Sequence, residues 1–169
     1  MIRYHSAVAE MLVPADSIRP HRDNPNNGDV DSIIESILIN GCYRPIYCNA
    51  RGTILAGHHL YAALLELGAT TVPVMFLDTE EDDVPEAVRI MLVDNASAAH
   101  ARIDRGLEAF NLGRLSDYHG TGYTQREAEE IIAKAEDVGS GGLSYDDEPI
   151  VYGHAIKCPE CGHSWREIT

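Results

Sequence analysis

The stretch ILAGHHLYAALLELGATTVPVMF, residues 54–76, decides the fold of this chain. It opens with an apolar run, turns at Gly57, and continues with apolar side chains at helical spacing until Gly68. The following "TVPVMF" is typical of a buried strand. The stretch therefore predicts a strand, a helix and a second strand, with Gly57 at the first turn.

The turn at Gly57 has the chemistry of an anion site. A strand that runs through a glycine into a helix leaves the first amide groups of that helix without internal acceptors, at its positive end. Anions bind at such helix starts, and glycine leaves room for a phosphate. His58 and His59 either donate hydrogen bonds to an anion or are surface residues beside a simple tight turn, and both interpretations stay open.

The residues before this stretch predict three more elements. Residues 11–18 indicate a short strand and turn, and "DVDSIIESILINGC" indicates a helix that ends at Gly41. "YRPIYCNARGTILAG" indicates a β-hairpin around "NARG". Cys42 and Cys48 flank a strand of that hairpin, and we expect them to be small core residues. The fold class is mixed α+β.

The residues after the stretch predict helices. One runs from Pro85 to about Val93, and two more cover 104–115 and 124–137. Thr124 and Glu127 form a capping box at the start of the last one. The predicted organisation is a main domain at 1–95, a helical extension at 96–138, a Gly/Ser-rich linker at 139–149 and a small cysteine-containing unit at 150–169.

Composition and charge limit the possible partners. The chain has 169 residues, is 44% hydrophobic and carries a formal net charge of −14. Because DNA and anionic membranes would repel this charge, direct non-specific DNA binding is disfavoured. No segment resembles a signal peptide or a run of about 18–20 apolar residues. We therefore expect a cytoplasmic protein without a membrane partner.

The sequence "CPECGH" predicts a zinc knuckle. Cys158 and Cys161 have the spacing that lets two thiolates face one ion. His154 and His163 are the candidates that complete a tetrahedral site within the chain. Two alternatives stay open, namely a knuckle completed by another chain and a metal-free or redox pair. Trp165 beside the knuckle either covers it or contacts a partner.

The series of local patterns from about residue 13 to residue 95 resembles the amino-terminal domain of the ParB/sulfiredoxin superfamily. "ESILINGCYRPI" resembles the family segment S-I-x-x-x-G-x-x-x-P-I, and "GHHLYAA" resembles the phosphate-binding box G-E-R-R-x-R-A of ParB. "DNASA" lies where ParB carries E-N-x-x-R. The whole sequence is similar to short ParB-like proteins of bacteriophages, which are often labelled nuclease domains.

The resemblance implies a nucleotide site that takes CTP or ATP, with or without magnesium. The binding residues that it suggests are Gly57, His58, His59, Arg44 and Asn95. The sequence also departs from the family, because the arginines of the ParB phosphate box fall at His59, Leu60 and Ala62, and that of the second box at Ala98. His58 replaces the reactive cysteine of sulfiredoxin, which excludes peroxiredoxin repair.

Three functions follow as hypotheses. The first is a phage-type nucleotide-binding protein that acts as a regulatory or adaptor module in DNA-related or host-directed processes. The second is an ATP-dependent phosphotransferase acting on a hydroxyl, for which Asp23 or His21 is the candidate base. The third is a non-catalytic module that binds a host or phage protein. The resemblance also implies a homodimer as one possible state, whereas the basic helix-turn-helix of ParB has no counterpart after Asn95.

Overall fold

A computed structural model describes residues 2–25, 28–82, 84–101 and 103–138. The predicted linker and cysteine unit, with the zinc candidates His154, Cys158, Cys161 and His163, lie outside the described residues. The strands are β1 (Leu12–Pro14), β2 (Arg19–Pro20), β3 (Ile46–Cys48), β4 (Thr53–Ala56) and β5 (Thr71–Phe76). The helices are α1 (Ser6–Ala9), α2 (Val30–Asn40), α3 (His58–Glu66), α4 (Pro85–His100), α5 (Arg105–Leu112) and α6 (Gln125–Val138).

The described strands form one mixed sheet in the order β1-β5-β3-β4-β2. β1 pairs antiparallel with β5, and β5 pairs in parallel with β3, where Ile46 lies opposite Val74. β3 and β4 form the predicted antiparallel hairpin, with an irregularity between Tyr47 and Cys48. The short β2 pairs in parallel with β4 at the edge. The mixed α+β fold class is thus confirmed.

Helices cover both faces of the sheet. On one face, α2 and α3 pack together and bury apolar side chains of the sheet, among them Ile46, Ile54 and Val72, each with no exposed surface. Leu55 follows Ile54 in the strand and therefore points to the opposite face. On that side α4 contacts β4, and both Leu55 and Met91 of α4 are buried. Burial of each large aliphatic side chain stabilises the fold by about 1.5–3 kcal/mol.

α4 is longer than the sequence pattern predicts. The sequence pattern predicts an end near Val93, whereas the helix continues to His100. The segment after Val93 holds neither Gly nor Pro, its alanines favour a helix, and the Ser97 hydroxyl donates to the carbonyl of Val93 inside the helix. Asp94 and Asn95 therefore lie within α4 rather than at its end. No helix within the described ranges is both long and apolar enough to cross a bilayer.

The predicted local stop and start signals are confirmed. α2 is capped by Asp29, whose carboxylate accepts from the Ser32 amide at 3.1 Å, and it ends at Gly41. At the start of α6, Thr124 donates its amide proton to Glu127 at 2.8 Å and its hydroxyl accepts from the Glu127 amide at 3.3 Å. These caps satisfy amide groups that a helix leaves without acceptors.

The hairpin turn between β3 and β4 is closed by a buried asparagine. The Oδ1 atom of Asn49 accepts from the amides of Arg51 and Thr53, at 3.0 and 2.8 Å. Its Nδ2 atom donates to Asp82 at 2.7 Å, which ties the segment after β5 to the hairpin. The nearby Thr53 hydroxyl and the side-chain amide of Asn49 hold the pKa of Asp82 below its usual range.

We expect Asn49→Ala to lower the free energy of unfolding by about 2–3 kcal/mol, because two amide groups would lose their acceptor in a buried turn. Urea denaturation of the purified chain measures this value. Asn111→Ala is the matched control, since Asn111 is exposed on α5 and its truncation should change stability by no more than about 0.5 kcal/mol. Equal effects of the two substitutions would show that the hydrogen bonds of the Asn49 side chain do not contribute to the free energy of unfolding.

Candidate functional site

The turn between β4 and α3 depends on the backbone of Gly57. This residue has φ 90° and ψ 25°, in the left-handed region, where a residue with a side chain is strained by about 1–2 kcal/mol. A Cβ atom at this position would also lie 3.4 Å from the Cα atom of Ile46. No side chain caps the helix that follows, so the first turn of α3 presents amide groups and the positive end of the helix dipole.

A cleft of about 230 Å³ lies at this turn. The start of α3, the end of β4, the segment before β3, α2, α4 and the loop between β2 and α2 all contribute to it. The five residues that the resemblance suggested for nucleotide binding all line this cleft: Arg44, Gly57, His58, His59 and Asn95. The structure thus brings together residues that are separated by almost a third of the sequence.

His58 is a neutral hydrogen-bonding residue rather than a cation. Its Nε2 atom accepts from the backbone amide of His21 at 3.2 Å. Burial, followed by the nearby His59 and His21, lowers the pKa of His58 to about 4. At neutral pH the ring therefore adds no positive charge to the cleft.

His59 holds the loop between β2 and α2 against the start of α3. Its Nε2 atom accepts from the amide of Gly28 at 2.7 Å, which leaves Nδ1 as the ring nitrogen that carries a proton. A side chain at position 28 would not fit, since a Cβ atom there would lie 2.8 Å from His59 Nδ1. His59 can thus offer the cleft at most one N–H donor while this loop contact is made.

The two predicted catalytic residues do not line the cleft. His21 is 5% exposed, its Nδ1 accepts from the amide of Asp23 at 3.1 Å, and its Nε2 lies 3.3 Å from the Asp82 carbonyl oxygen. Both ring nitrogens of His21 are therefore engaged by backbone groups, one in its own loop and one in the segment after β5. The side chain of Asp23 is 63% exposed and pairs with Arg22 at 3.2 Å. This geometry favours a structural role for His21 over that of a general base.

Opposite charges face the cleft from two sides. Arg44 precedes β3 and is exposed, and no carboxylate among the described residues lies within ion-pair distance of its guanidinium. Asp94 lines the same cleft from α4, so it opposes the binding of an anion. Arg44 is the one lysine or arginine among the described residues that line the cleft. An incoming anion therefore meets one cation and one anion.

Asn24 and Asp94 are cleft residues that sequence reasoning missed. Asn24 accepts from the Nδ2 atom of Asn95 at 3.2 Å, so the loop before α2 and the helix α4 meet across the cleft. The spacing of Ala87, Met91 and Asn95 is four residues each, which puts them on one face of a continuous helix. That spacing could have signalled that residues 94 and 95 face inward with the buried Ala87 and Met91.

We expect His58→Gln to make stability less dependent on acid. The ordinary histidine pKa is about 6.5 in an unfolded chain. Because the folded pKa is lowered to about 4, the stability associated with neutral His58 is fully present above about pH 6.5 and is lost as the pH falls toward 4. Glutamine keeps an acceptor for the His21 amide but does not titrate. Urea denaturation at several values between about pH 7 and pH 4.5 should give a shallower decline.

His119→Gln is a control that should change the pH dependence of stability in the opposite direction. The ring of His119 lies 2.9 Å from the Glu35 carboxylate, which raises the pKa of this exposed histidine. The stability from this pair is present below the unfolded pKa and is lost as the pH rises, so its removal should steepen the acid-side decline. If His58→Gln and the unmodified chain lose stability with the same slope, His58 is not held neutral by the fold.

A solved structure of a ParB protein shares this fold, and two further ParB structures match with lower scores. The C-terminally truncated chromosome-partitioning protein ParB from Caulobacter crescentus complexed with CTP-gamma-S matches with a TM-score of 0.51 and 24% identity, over 73% of this chain and 68% of that chain. The same protein complexed to the centromeric parS site matches with a TM-score of 0.41 and 23% identity, over 72% of this chain and 64% of that chain. A Pnob8-like ParB-N domain matches with a TM-score of 0.41 and 13% identity, over 82% of this chain and 49% of that chain.

Comparison of the sequence itself adds no closer relative. No model of a known protein family matches it, and no curated protein matches it. The likeness to the Caulobacter crescentus structure lies below 25% identity and establishes the fold alone. Together with the mixed five-stranded sheet and the helices on its faces, it shows that the described part of this chain has a ParB-like fold.

Proposed function

We propose that this chain binds a nucleotide, with a phosphate at the start of α3. The observation that carries the proposal is the cleft at Gly57, where a helix without a side-chain cap begins beside an arginine that has no carboxylate partner among the described residues. Amide groups at a helix start and a guanidinium are both donors that suit phosphate oxygens. The ligand would lie among Arg44, Gly57, His58, His59 and Asn95.

Within this proposal the two histidines shape the cleft and are not the main groups that bind the phosphate. His58 and His59 accept from backbone amides, so they shape the cleft wall and fix the loop before α2. His59 retains one N–H group that can donate to a ligand oxygen. The binding charge then comes from Arg44 and from the dipole of α3, because His58 is neutral near pH 7.

CTP and ATP are the candidate nucleotides. The ParB structure from Caulobacter crescentus contains CTP-gamma-S, and this supports CTP as the first ligand to test. One arginine facing one aspartate leaves most of the charge of a triphosphate uncompensated. Magnesium would neutralise part of this charge, and the Asp94 carboxylate is a suitable oxygen ligand for it. We therefore expect magnesium to strengthen triphosphate binding.

A binding role is favoured over phosphoryl transfer. A phosphotransferase needs a base near the acceptor hydroxyl, but His21 is engaged at both ring nitrogens and neither His21 nor Asp23 lines the cleft. We accordingly propose a regulatory or adaptor module whose contacts with a host or phage protein respond to the nucleotide. A module without any ligand is the alternative that the binding experiment would reveal.

We expect Arg44→Ala to weaken CTP or ATP binding by about tenfold or more, because it removes the charged donor of the cleft. Asp94→Asn should strengthen binding in the absence of magnesium, since it removes the opposing charge. Isothermal titration calorimetry with and without magnesium measures both effects. Arg51→Ala is the matched control, because Arg51 is exposed on the hairpin, pairs with Glu81 and does not line the cleft.

Two outcomes would contradict this proposal. If the unmodified chain binds neither CTP nor ATP at millimolar concentrations, with or without magnesium, it is not a nucleotide-binding protein. If Arg44→Ala and Arg51→Ala weaken binding equally, the effect is one of net charge and the ligand lies elsewhere.

We also propose that the cysteine unit at 150–169 holds zinc through Cys158 and Cys161, a proposal that rests on the sequence "CPECGH" alone. The double substitution Cys158→Ser and Cys161→Ser should abolish zinc content, measured by atomic absorption on the purified chain. Single substitutions His154→Ala and His163→Ala test which histidine completes the site. Unchanged zinc content in the double variant, or no zinc in the unmodified chain, would reject the site.

A further inference from the structure

The part of the helical extension that follows α4, consisting of α5, α6 and the turn between them, docks on α2 through this turn. Within it, the Tyr123 hydroxyl and the Arg105 guanidinium both donate to Glu108, whose side chain is largely buried between α5 and α6. The turn that joins the two helices meets α2 through a hydrogen bond of 2.9 Å from Asn40 Nδ2 to the carbonyl oxygen of Gly120. The exposed pair of His119 and Glu35 lies beside this bond and adds little by itself.

Gly120 allows the close approach of this turn. It is buried, with φ +73°, and a Cβ atom at this position would lie 2.9 Å from both Asn40 Nδ2 and Ile39 Cβ. A side chain here would therefore be strained in the backbone and would push the turn away from α2. The neighbouring Gly122 also has a positive φ of 82°, but nothing lies within 4 Å of its Cβ position.

A second cavity, of about 240 Å³, exists where this turn meets α2. Its inner side is apolar, with Ile37 of α2 and Cys42, and its outer side carries the hydroxyl groups of Ser36 and Thr121. The turn from Gly120 to Gly122 forms one wall. The mixture of an apolar floor and a few hydroxyl groups suits an uncharged, planar, hydrogen-bonding group rather than another phosphate.

The second cavity continues the cleft at Gly57. Both are lined by Ile33, Arg44 and Leu60, so the Arg44 side chain lies between them. Each cavity is smaller than the roughly 300–1,000 Å³ typical of small-molecule sites, and only the two together reach that range. A ligand whose phosphates sit at the start of α3 would extend past Arg44 into the second cavity.

We propose that the turn between α5 and α6 is a wall of the ligand site and contacts the nucleoside part of the bound nucleotide. This inference rests on the nucleotide-binding function proposed above. Because the wall exists only while the helical extension is docked on α2, docking and nucleotide binding stabilise each other, and the coupling is equal in both directions. An inorganic polyphosphate occupies the phosphate end alone and is therefore independent of docking.

Gly120→Ala tests this inference, with Gly68→Ala as its matched control. Gly68 has a similar φ of +76° but nothing within 4 Å of its Cβ position, and it lies outside both cavities. Calorimetry should show that Gly120→Ala weakens CTP or ATP binding by about tenfold, and leaves tripolyphosphate binding within about twofold of the unmodified chain. Gly68→Ala should leave both affinities within about twofold.

A second variant and a second measurement guard against a folding defect. Asn40→Ala removes the hydrogen bond to Gly120 without backbone strain and should weaken nucleotide binding by about threefold to fivefold. In the unmodified chain, CTP or ATP but not tripolyphosphate should slow amide hydrogen exchange at residues 118–123. Hydrogen exchange that is unchanged by nucleotide in this turn, or nucleotide affinities unchanged by Gly120→Ala, would overturn the inference.

The possible failures are distinguishable. If the unmodified chain binds neither nucleotide nor tripolyphosphate, both the proposed function and the inference about the turn are rejected. If nucleotide binds normally in both Gly120→Ala and Asn40→Ala, only the role of the turn is rejected. If the substitutions lower the affinity for tripolyphosphate as much as that for the nucleotide, they act on the phosphate end of the site, and the inference is likewise rejected.

Discussion

The hydrogen bonds that two imidazoles accept from backbone amides hold the cleft together. His58 accepts from His21, and His59 accepts from Gly28, so the first turn of α3 fastens both ends of the loop that follows β2. This loop in turn meets α4 through Asn95. Without these bonds the start of α3 would lack the wall that makes a concave site around its free amide groups. A histidine that accepts in this way must be neutral, which is consistent with the lowered pKa of His58.

The start of α3 has fewer cationic side chains than the ParB box that its sequence resembles. Where the resembling ParB box G-E-R-R-x-R-A has arginines, this chain has His59, the buried Leu60 and Ala62, so the start of α3 contributes a dipole but no arginine or lysine. The guanidinium comes instead from Arg44, before β3, and Asp94 opposes it. A site with this balance favours ligands of low net charge or ligands that bring a cation with them.

The parts of the fold that depend on neighbouring residues could be predicted from the sequence. The turn at Gly57, the cap at Thr124 and the hairpin all rest on signals within a few residues. The partners of the histidines could not be predicted, because His21 and Gly28 lie 37 and 31 residues away in the chain. The predicted end of α4 near Val93 is wrong for a different reason, since the polar residues after Val93 continue the helix where neither Gly nor Pro occurs before its end at His100.

Because the cleft has one arginine opposed by one aspartate, the second cavity would have to supply much of the affinity for a nucleotide. One guanidinium and one helix start, opposed by a carboxylate, supply less attraction for a triphosphate than several converging arginines would. In the proposed site, affinity would then come to a larger extent from the nucleoside, which would be desolvated against the apolar floor beside Cys42 and would accept a hydrogen bond from the hydroxyl group of Ser36. Because the turn at Gly120 would supply part of those contacts, a site that is poor in cations would depend on the docked turn more strongly than a cationic site would. In the proposed site, the scarcity of cations and the coupling to α5 and α6 would therefore be connected, since weaker attraction of the phosphates leaves a larger share of the affinity to contacts with the docked turn.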